Sequence, residues 1–220
     1  MHFHIITIFP DMFTSYLSES ILARAIKGKK MTVSLYGLRE YTKDKHRKVD
    51  NIPYGGGPGM VMMADPLVRA IKKAQQKIAR RKGKAKIKII MTSPAGKEFT
   101  NDYAEGVLKK KYTDVIIICG RYEGIDARVK KIFKAEDISI GNYVLTGGEL
   151  PAMVMIDAIT RRVPGVLGNH DSIEENRVSS SEVYTRPETY ECDGKKYKVP
   201  KVLLSGNHKL IEEWKKTGKG

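Results

Sequence analysis

Apolar and polar positions along the first 160 residues follow a pattern that predicts strands and helices in turn. Short apolar runs predict strands at 3–9, 31–36, 86–91 and 114–119. Apolar positions three and four residues apart predict helices at 11–27, 66–82, 100–111, 125–133 and 149–159. The run Val115–Ile118 has no polar position, which is typical of a central parallel strand buried on both faces. The chain is therefore predicted to form an α/β fold around a parallel sheet.

Two of these helices carry further signals. Asp65 and Pro66 form a typical helix start, with Asp65 as the N-cap and proline at the first helical position. The segment 149–159 is apolar nearly all round, and Asp157 is its only charged residue after Glu149. A helix of this kind is predicted to be buried, and a second subunit is one surface that could bury it.

The character of the chain changes after Pro164. The segment 168–188 is polar and poor in large apolar residues, which predicts a linker that orders only on binding. Beyond the linker, the pattern predicts a strand or extended piece at 199–204 and a last helix at 207–214.

The charge balance favours a polyanionic partner. The chain carries 40 Lys and Arg residues against 25 Asp and Glu, for a formal net charge of +15. Nucleic acid is the partner that such a charge indicates most strongly, and the alternative is a basic protein that is merely well solvated. No apolar run approaches the roughly 18 residues of a membrane span, and the amino terminus lacks the basic leader of a signal peptide.

The cysteine and histidine residues predict neither disulfides nor a metal site. Cys119 and Cys192 are far apart and have no CxxC spacing, which fits a reducing cytoplasm. His2 and His4 share one face of a predicted strand, but the sequence offers no third ligand beside them.

Glycine clusters are the most informative local feature. The first is Tyr54–Met60, inside a long polar loop at 39–58, and the others are Gly120–Gly124 and Gly141–Gly148. The later two follow strand-like runs, which predicts loops that converge at the carboxyl ends of strands in an open sheet. By spacing alone the first cluster is either a ligand loop or a tight structural turn. None matches a standard nucleotide-binding or nucleophile motif.

Two basic features remain open between a structural and a functional interpretation. The run Lys43–Asp50 is either a solvated charged surface or, beside the first glycine cluster, a contact for phosphates. Arg161 and Arg162 follow the apolar helix, where arginine can satisfy the last carbonyl groups. The alternative is that one guanidinium serves an anion or a developing oxyanion.

Six motifs together resemble the bacterial tRNA (guanine-N1)-methyltransferases, which belong to the SPOUT class. The resemblance runs in unbroken order from residue 1 to about 215. Its motifs are Tyr54–Met60, Gly120–Asp126, Ser139–Pro151, Pro164–Gly168, Tyr184–Pro187 and Leu203–His208.

The resemblance implies a knotted SPOUT fold, in which a parallel sheet carries a deep trefoil knot, with a short helical carboxyl-terminal extension. It also implies a cytoplasmic homodimer with each active site between two subunits. Residues 1–164 would be the methyltransferase domain, 165–182 a flexible linker and 183–220 a truncated tRNA-binding domain. The knot loops would bind S-adenosylmethionine, and by position their residues are Thr92, Ser93, Pro94, Gly120, Tyr122, Glu123, Ile140, Gly141, Asn142, Tyr143, Val144, Leu145, Gly147 and Gly148.

The implied substrate is a tRNA with a guanosine immediately 3′ of the anticodon, at position 37, which is methylated at N1. N1 is a poor nucleophile until its proton leaves, so the chemistry needs a general base at N1 and a cation or donor at O6. By position, Arg161 would be the cation that stabilises the negative charge on O6. The substrate-binding residues would be His46, Arg47, Asp50, Gly57 and Gly59, around a base that flips out of its stack.

The chain departs from the family pattern where the general base is expected. The family has an aspartate eight residues after the Gly-Val-Leu-Gly motif, and this chain has Asn176, whose amide cannot accept the proton. Glu175 or Glu174 could take over, or less readily Asp171. The remaining alternative is a catalytically impaired protein that binds S-adenosylmethionine and tRNA.

Two smaller departures concern affinity. Asn142 stands where the family often has an aspartate near the cofactor's amino group, which predicts weaker cofactor binding. Only about one helix follows the Ser-Gly-Asn-His motif, which leaves tRNA affinity to other basic segments, such as 43–48 and the helix at 66–82. A SPOUT enzyme acting on a ribose 2′-hydroxyl is a further alternative, which Pro164–Gly168 and Tyr184–Pro187 disfavour.

Overall fold

The structure, a computed structural model, describes residues 1–167 and 182–217. The chain divides into two compact units, Met1–Gly168 and Asn169–Gly220. The strands are β1 His2–Thr7, β2 Thr32–Gly37, β3 Asp50–Asn51, β4 Val61–Met62, β5 Ile87–Glu98, β6 Asp114–Ile118, β7 Glu136–Ser139, β8 Thr189–Cys192 and β9 Lys195–Lys198. The helices are α1 Thr14–Leu17, α2 Ser20–Lys27, α3 Ala64–Ala79, α4 Asn101–Lys109, α5 Ala127–Phe133, α6 Glu149–Thr160, α7 Lys201–Leu204 and α8 His208–Thr217, with short 3₁₀ turns at Pro10–Phe13 and Leu38–Tyr41.

The first unit is built on a five-stranded parallel sheet in the order β2-β1-β6-β5-β7. All five residues of β6 are buried, as the apolar run of this strand predicts for the centre of a parallel sheet. The predicted α/β fold with a parallel sheet is therefore confirmed. Because the strands are parallel, the loops after their carboxyl ends meet at one edge of the sheet and the loops before their amino ends meet at the other.

Helices cover both faces of the sheet, and a separate core lies on each face. One core contains Phe3, Ile5 and Val115 from the sheet, packed with apolar residues of α2, α4 and α6. The other contains Ile6 and Ile116 from the sheet, packed with residues of α3 and α5. Alternate strand residues thus serve opposite faces, which is the geometry that extended chains impose.

Strand β5 contains an interruption that shapes the edge of the sheet. Thr92 and Lys97 both pair with Ile138 of β7, so the four residues between them bulge out of the ladder. The bulge holds Pro94, which has no N–H to donate to a ladder, and Gly96. A Cβ on Gly96 would lie 2.5 Å from the backbone of Asp137, which only glycine can accommodate.

A polar network is buried near the amino ends of the strands. Asp114, at the start of β6, is inaccessible to solvent, and it accepts hydrogen bonds from Arg81 at 2.5 Å and Thr113 at 2.7 Å. His4 Nε2 lies 3.0 Å from the same carboxylate, and His4 Nδ1 lies 3.0 Å from the Tyr36 hydroxyl. Since the carboxylate only accepts, Nε2 carries the proton and Tyr36 donates to Nδ1. Both ring nitrogens of His4 are therefore held by hydrogen bonds within this buried network.

Several local predictions need correction. Helix α3 begins at Ala64 with Met63 at the N-cap, so Asp65 lies inside the first turn and pairs with Arg69 instead of capping. The segment 11–27 is broken into a 3₁₀ turn and two helices rather than one. At 199–204 the chain forms helix α7, not a strand.

Helix α6 is not buried all round within one chain, so its predicted burial by a second subunit stays a prediction. Leu150 and Val154 are about half exposed, whereas Met155, Ile156 and Ile159 are buried.

The second unit consists of the antiparallel hairpin β8–β9 and the helices α7 and α8 within the described residues. The ring of Trp214 is buried in this unit and packs 6.2 Å from the ring of Tyr184. Among the residues that the structure describes, no helix has the length and apolar composition that a membrane crossing requires.

Candidate functional site

A cleft of about 630 Å³ opens at the carboxyl edge of the sheet. Residues from three segments line it, and each segment follows or interrupts a different strand: Met91–Ala95 at the bulge of β5, Gly120–Ala127 after β6, and Asp137–Gly148 along and after β7. Parallel strands bring these segments together although up to 57 positions separate them in the chain, from Met91 to Gly148. The predicted convergence of the second and third glycine clusters is confirmed.

The floor of the cleft is a close approach of three backbones. The Thr92 hydroxyl accepts a hydrogen bond from the Gly120 N–H at 2.9 Å, and the Gly148 N–H donates to the Gly120 carbonyl at 2.8 Å. A Cβ on Gly148 would lie 1.8 Å from Thr92 Oγ1 and 2.7 Å from the Gly120 nitrogen. Glycine at 148 is therefore required for the segment after β7 to lie against the segments after β5 and β6.

A buried ion pair fixes the orientation of the segment after β6. Arg121 donates through Nε and Nη2 to Glu149 Oε2, at 2.9 Å and 2.8 Å, and the Glu149 side chain is inaccessible to solvent. Thr7 donates to the other carboxylate oxygen at 2.7 Å. Arg121 also donates to the Thr146 carbonyl at 3.1 Å and stacks on the ring of Phe9. The pair thus joins the loops after β6 and β7 to the end of β1.

Two carboxylates line the cleft. Asp137 is paired with Lys130 at 2.5 Å, whereas the exposed Glu123 carboxylate has no hydrogen-bond or ion-pair partner in the described part of the chain. Burial raises the pKa of the Cys119 thiol well above its usual range, so this cysteine, directly before Gly120, is an inert core residue. Glu123 is therefore the carboxylate of this cleft best placed to meet a cation.

Most residues expected to bind a cofactor line this cleft. They are Thr92, Ser93, Pro94, Gly120, Tyr122, Glu123, Ile140, Tyr143, Val144, Leu145, Gly147 and Gly148. Gly141 and Asn142 are not part of the lining, although both neighbours of the pair are. A Cβ on Gly141 would lie 2.4 Å from the Tyr143 ring, so this glycine allows the ring to fold back on the loop.

The residues expected to bind the substrate lie outside the lining of the cleft. His46, Arg47 and Gly57 are exposed, and Asp50 is in β3, where it pairs with Met62. Asp44 organises the basic run, because its carboxylate accepts from the backbone N–H groups of His46 and Lys48.

The first glycine cluster is nevertheless attached to the cleft wall. The Glu123 N–H donates to the Met60 carbonyl at 3.0 Å, and the Met62 N–H donates to the Gly124 carbonyl at 2.9 Å. A Cβ on Gly59 would lie 2.5 Å from Glu123 Oε1. Gly59 therefore packs directly against a carboxylate of the cleft.

Of the residues expected to act in catalysis, only Arg161 lies within the described ranges. Arg161 is half-buried directly after α6 and is not in the lining of the cleft. Arg162 donates to the Ala158 carbonyl at 2.7 Å, which matches the helix-end role open to either arginine. Asn176, Glu175, Glu174 and Asp171 lie outside the described residues.

Sequence reasoning missed the ion pair of Arg121 and Glu149. A signal existed, since Glu149 stands at the start of an otherwise apolar segment, and a carboxylate there needs a buried partner. The sequence offers no means of choosing Arg121, which is 28 positions away.

Comparisons with known proteins identify the family. The model of the family described as tRNA (guanine-1)-methyltransferase TrmD matches residues 1–219. The tRNA (guanine-N(1)-)-methyltransferase of Clostridioides difficile strain 630 is 43% identical over 220 residues, which cover 98% of this chain and 91% of the relative. That of Thermomicrobium roseum is 46% identical over 219 residues, which cover 98% of this chain and 78% of the relative.

A solved structure agrees with these relatives. The crystal structure of the tRNA (m1G37) methyltransferase from Aquifex aeolicus has a TM-score of 0.78 and 39% sequence identity, and the match covers 98% of this chain and 87% of that one. The family model, the sequence relatives and the solved structure agree, and the chain belongs to the tRNA (guanine-1)-methyltransferase family.

Proposed function

We propose that this protein transfers a methyl group from S-adenosylmethionine to N1 of the guanosine at position 37, immediately 3′ of the anticodon, in tRNA. The observation that carries the proposal is the cleft at the carboxyl edge of the sheet, built by three glycine-containing segments in a chain of this family. The comparisons give no support to the alternative of an impaired binding protein.

The cleft fits the proposed methyl donor in size and chemistry. Its volume of about 630 Å³ lies in the range of small-molecule sites, and its lining joins apolar side chains to exposed backbone. The donor carries a sulfonium and an ammonium group, and the Glu123 carboxylate offers a partner for positive charge. When bound, S-adenosylmethionine supplies an electrophilic methyl group, and Thr92, Gly120 and Gly148 form the rigid floor that positions it.

The residues of the chain must hold guanine and remove a proton from its N1. We propose that Arg161 stabilises the charge that builds on O6 as the proton leaves, because guanidinium donates several hydrogen bonds and stays protonated. Asp50 and His46 are proposed to hold the flipped base and its neighbour. Support comes from Gly59–Met62, which connects this region to the cleft wall through Glu123 and Gly124.

We propose Glu175 as the general base. It is adjacent to Asn176, which occupies the position where the family has an aspartate, and the carboxylate of glutamate can accept the proton that an amide cannot.

A homodimer is proposed to complete the site. Leu150 and Val154 of α6 are about half exposed, and Met12 and Tyr16 nearby are exposed to a similar degree. The Tyr16 hydroxyl donates to Asp157, which joins α1 to α6, so these exposed side chains lie on neighbouring elements. Apolar surface of this kind is typical of subunit interfaces.

The trefoil knot is proposed from the family. It is supported by the way the segment after β7 lies against both earlier segments, with Gly148 bonded to Gly120 and packed on Thr92.

Domain boundaries at 1–164, 165–182 and 183–220 are also proposed, and they are compatible with two compact units that divide at 168. The last part is proposed to bind tRNA. A cytoplasmic location is proposed as well and is compatible with two free cysteines, Cys119 and Cys192.

Methyl transfer from labelled S-adenosylmethionine to two tRNA transcripts tests the proposed function. One transcript has guanosine 3′ of the anticodon, and the other has adenosine at that position. We expect label on the guanosine transcript alone, in the base and not in the ribose. Label on neither transcript, or in a 2′-O-methyl group, would overturn the proposal.

A further inference from the structure

Basic residues concentrate on the edge of the sheet opposite the cleft. Three of the segments that lead from a helix into the amino end of a strand form a basic group there: 27–30 before β2, 80–86 before β5 and 109–111 before β6. They contain three, five and three Lys or Arg residues respectively, and no Asp or Glu. We call these segments the amino-edge face.

Hydrogen bonds join the three segments into one continuous surface. The amino group of Met1 donates to the Lys30 carbonyl at 3.1 Å, and the His2 N–H donates to the Thr113 carbonyl at 3.0 Å. The Thr113 N–H donates to the Lys86 carbonyl at 2.9 Å, and the Lys86 N–H donates to the Thr113 hydroxyl at 2.9 Å. The spacing between neighbouring strands is about 4.8 Å, so four adjacent strands spread the lysines over about 14 Å before their side chains extend further.

Two lysines of this face adopt a left-handed backbone conformation, which favours glycine. Lys29 and Lys111 follow helices α2 and α4 with φ of 55° each, in the left-handed region. Both sit in helix-ending turns, where the next N–H reaches back to the last helical turn, from Lys30 to Ala25 and from Tyr112 to Val107. A residue with a Cβ destabilises this turn relative to glycine. Lysine near a helix end interacts favourably with the dipole, but the last turns of α2 and α4 already supply Lys27 and Lys109 for that purpose.

Three lysines of the face are free to meet an anion, whereas Lys86 donates to the Lys110 carbonyl at 2.8 Å. Lys29, Lys84 and Lys111 are exposed, and their side chains make no hydrogen bond or ion pair to any residue of the described ranges. By contrast, Arg81 is committed to Asp114 and Lys109 to Glu105. The face therefore keeps three unpaired cations, two of them in left-handed backbone, which a merely solvated surface does not require.

The chemistry of the face selects the kind of anion. Its three segments expose no aromatic ring on which an unpaired base could stack, since Tyr112 is half-buried and covered by Lys86 at 4.9 Å. They also expose no large apolar side chain that could insert into a bilayer. Lysines without stacking or inserting groups suit a regular array of phosphates, and base-paired RNA presents such an array.

We propose that the amino-edge face is a second RNA-binding surface, which contacts the phosphate backbone of base-paired RNA independently of sequence and away from the methylation cleft. The inference rests on the proposed function only in its choice of RNA as the polyanion. It gives a role to the basic residues of the amino-edge face, which do not line the cleft.

The test is a binding measurement on the full-length protein. The probe is a fluorescent RNA duplex of about 20 base pairs without an anticodon loop, titrated at salt concentrations between about 50 and 300 mM. The variant Lys29→Gly/Lys84→Gln/Lys111→Gly removes three charges, and its matched control Lys29→Arg/Lys84→Arg/Lys111→Arg keeps them. We expect the variant to bind about tenfold or more weakly, with a salt slope reduced by about 2 to 3, and the control to bind like the wild type.

Two further readouts separate the proposal from its alternatives. Thermal unfolding of the glycine-containing variant should occur at the same or a higher temperature, because two left-handed lysines become glycine, so weaker binding cannot be assigned to misfolding. Methyl transfer to a saturating concentration of the guanosine transcript should be unchanged, and its failure in the wild type would challenge the proposed function without affecting duplex binding. Equal duplex affinity and salt slope in the variant and the wild type would overturn the proposal, as would charge-dependent binding to phosphatidylserine vesicles without binding to the duplex.

Discussion

Arg121 and Glu149 form an ion pair beneath the cleft, with the guanidinium 16% exposed and the carboxylate fully buried. Removing one partner of such a pair leaves the other charge buried without compensation, which typically costs about 3–5 kcal/mol. We therefore expect Arg121→Met to lower the free energy of unfolding by that order and to weaken cofactor binding at least tenfold. Denaturant unfolding and calorimetric titration with S-adenosylmethionine measure the two effects.

A matched control exists in the exposed ion pair of Lys109 and Glu105 on α4. Lys109→Met also removes a cation from an ion pair, but exposed pairs contribute only about 0.5 kcal/mol. Equal losses of stability in the two variants would show that the Arg121 pair is not a buried structural link.

Gly148 is predicted to be intolerant of a single added methyl group. Because the new Cβ would lie 1.8 Å from Thr92 Oγ1 and 2.9 Å from the Cys119 Cα, the floor of the cleft must open to accept it. We expect Gly148→Ala to lose about 1–3 kcal/mol of stability and to bind the methyl donor at least tenfold more weakly. The comparison is Gly106→Ala in α4, where a Cβ meets no atom within 4 Å and should stabilise the helix. Normal cofactor affinity in Gly148→Ala would contradict the arrangement of the floor.

Some parts of the fold and of the site can be predicted from the sequence, and others cannot. The glycine clusters predict loops at the carboxyl edge, and the apolar run of β6 predicts the centre of the sheet, because periodicity and glycine content are local properties. The bulge at Ser93–Gly96, the partner of Glu149 and the short strand β7 are set by contacts between distant segments, which no local pattern encodes. The hairpin β8–β9 is fully exposed, and its local signal is the turn Asp193–Gly194, with φ of 49° and 72°, rather than an apolar pattern.

The network around His4 predicts acid sensitivity in two steps. Burial lowers the pKa of His4 from its ordinary value of 6.5, despite the opposing effect of Asp114. The unfolded chain then binds the proton more readily, so stability falls as the pH drops through 6.5 toward the folded pKa. Burial would raise the pKa of Asp114, but hydrogen bonds from Thr113, His4 and Arg81 outweigh it and lower the pKa. A second loss is therefore expected as the pH falls below 3.8.

The variant His4→Gln tests the first of these steps. We expect the free energy of unfolding of the wild type to fall between pH 7.5 and 5.5 and that of the variant to fall less over the same range. His2→Gln is the control, since His2 is less buried and its pKa is lowered by weaker burial. An identical pH dependence in His4→Gln and the wild type would mean that His4 does not titrate in the way its surroundings require.

The apolar surface of α6 predicts the assembly state. Val154→Asp places a charge on the exposed side of the helix, where it should leave the fold of the single chain intact and separate the subunits of the proposed dimer. Light scattering should show the wild type at twice the mass of the variant, and methyl transfer should fall at least a hundredfold because each site needs both subunits. A monomeric wild type with full activity would rule out the dimer.

Glu175 is the residue whose substitution most directly tests the proposed chemistry. A general base typically contributes 10²–10⁴ to the rate, so Glu175→Gln should lower the single-turnover rate of methyl transfer by about a hundredfold or more while cofactor affinity stays the same. Glu174→Gln is the matched control, with the same change of charge one position earlier. Asn176→Asp restores the family's carboxylate, and in the Glu175→Gln background it should recover more than tenfold of the lost rate. Full activity in Glu175→Gln together with a large loss in Glu174→Gln would assign the general base to Glu174. Full activity in both variants would mean that the general base is another residue of the chain.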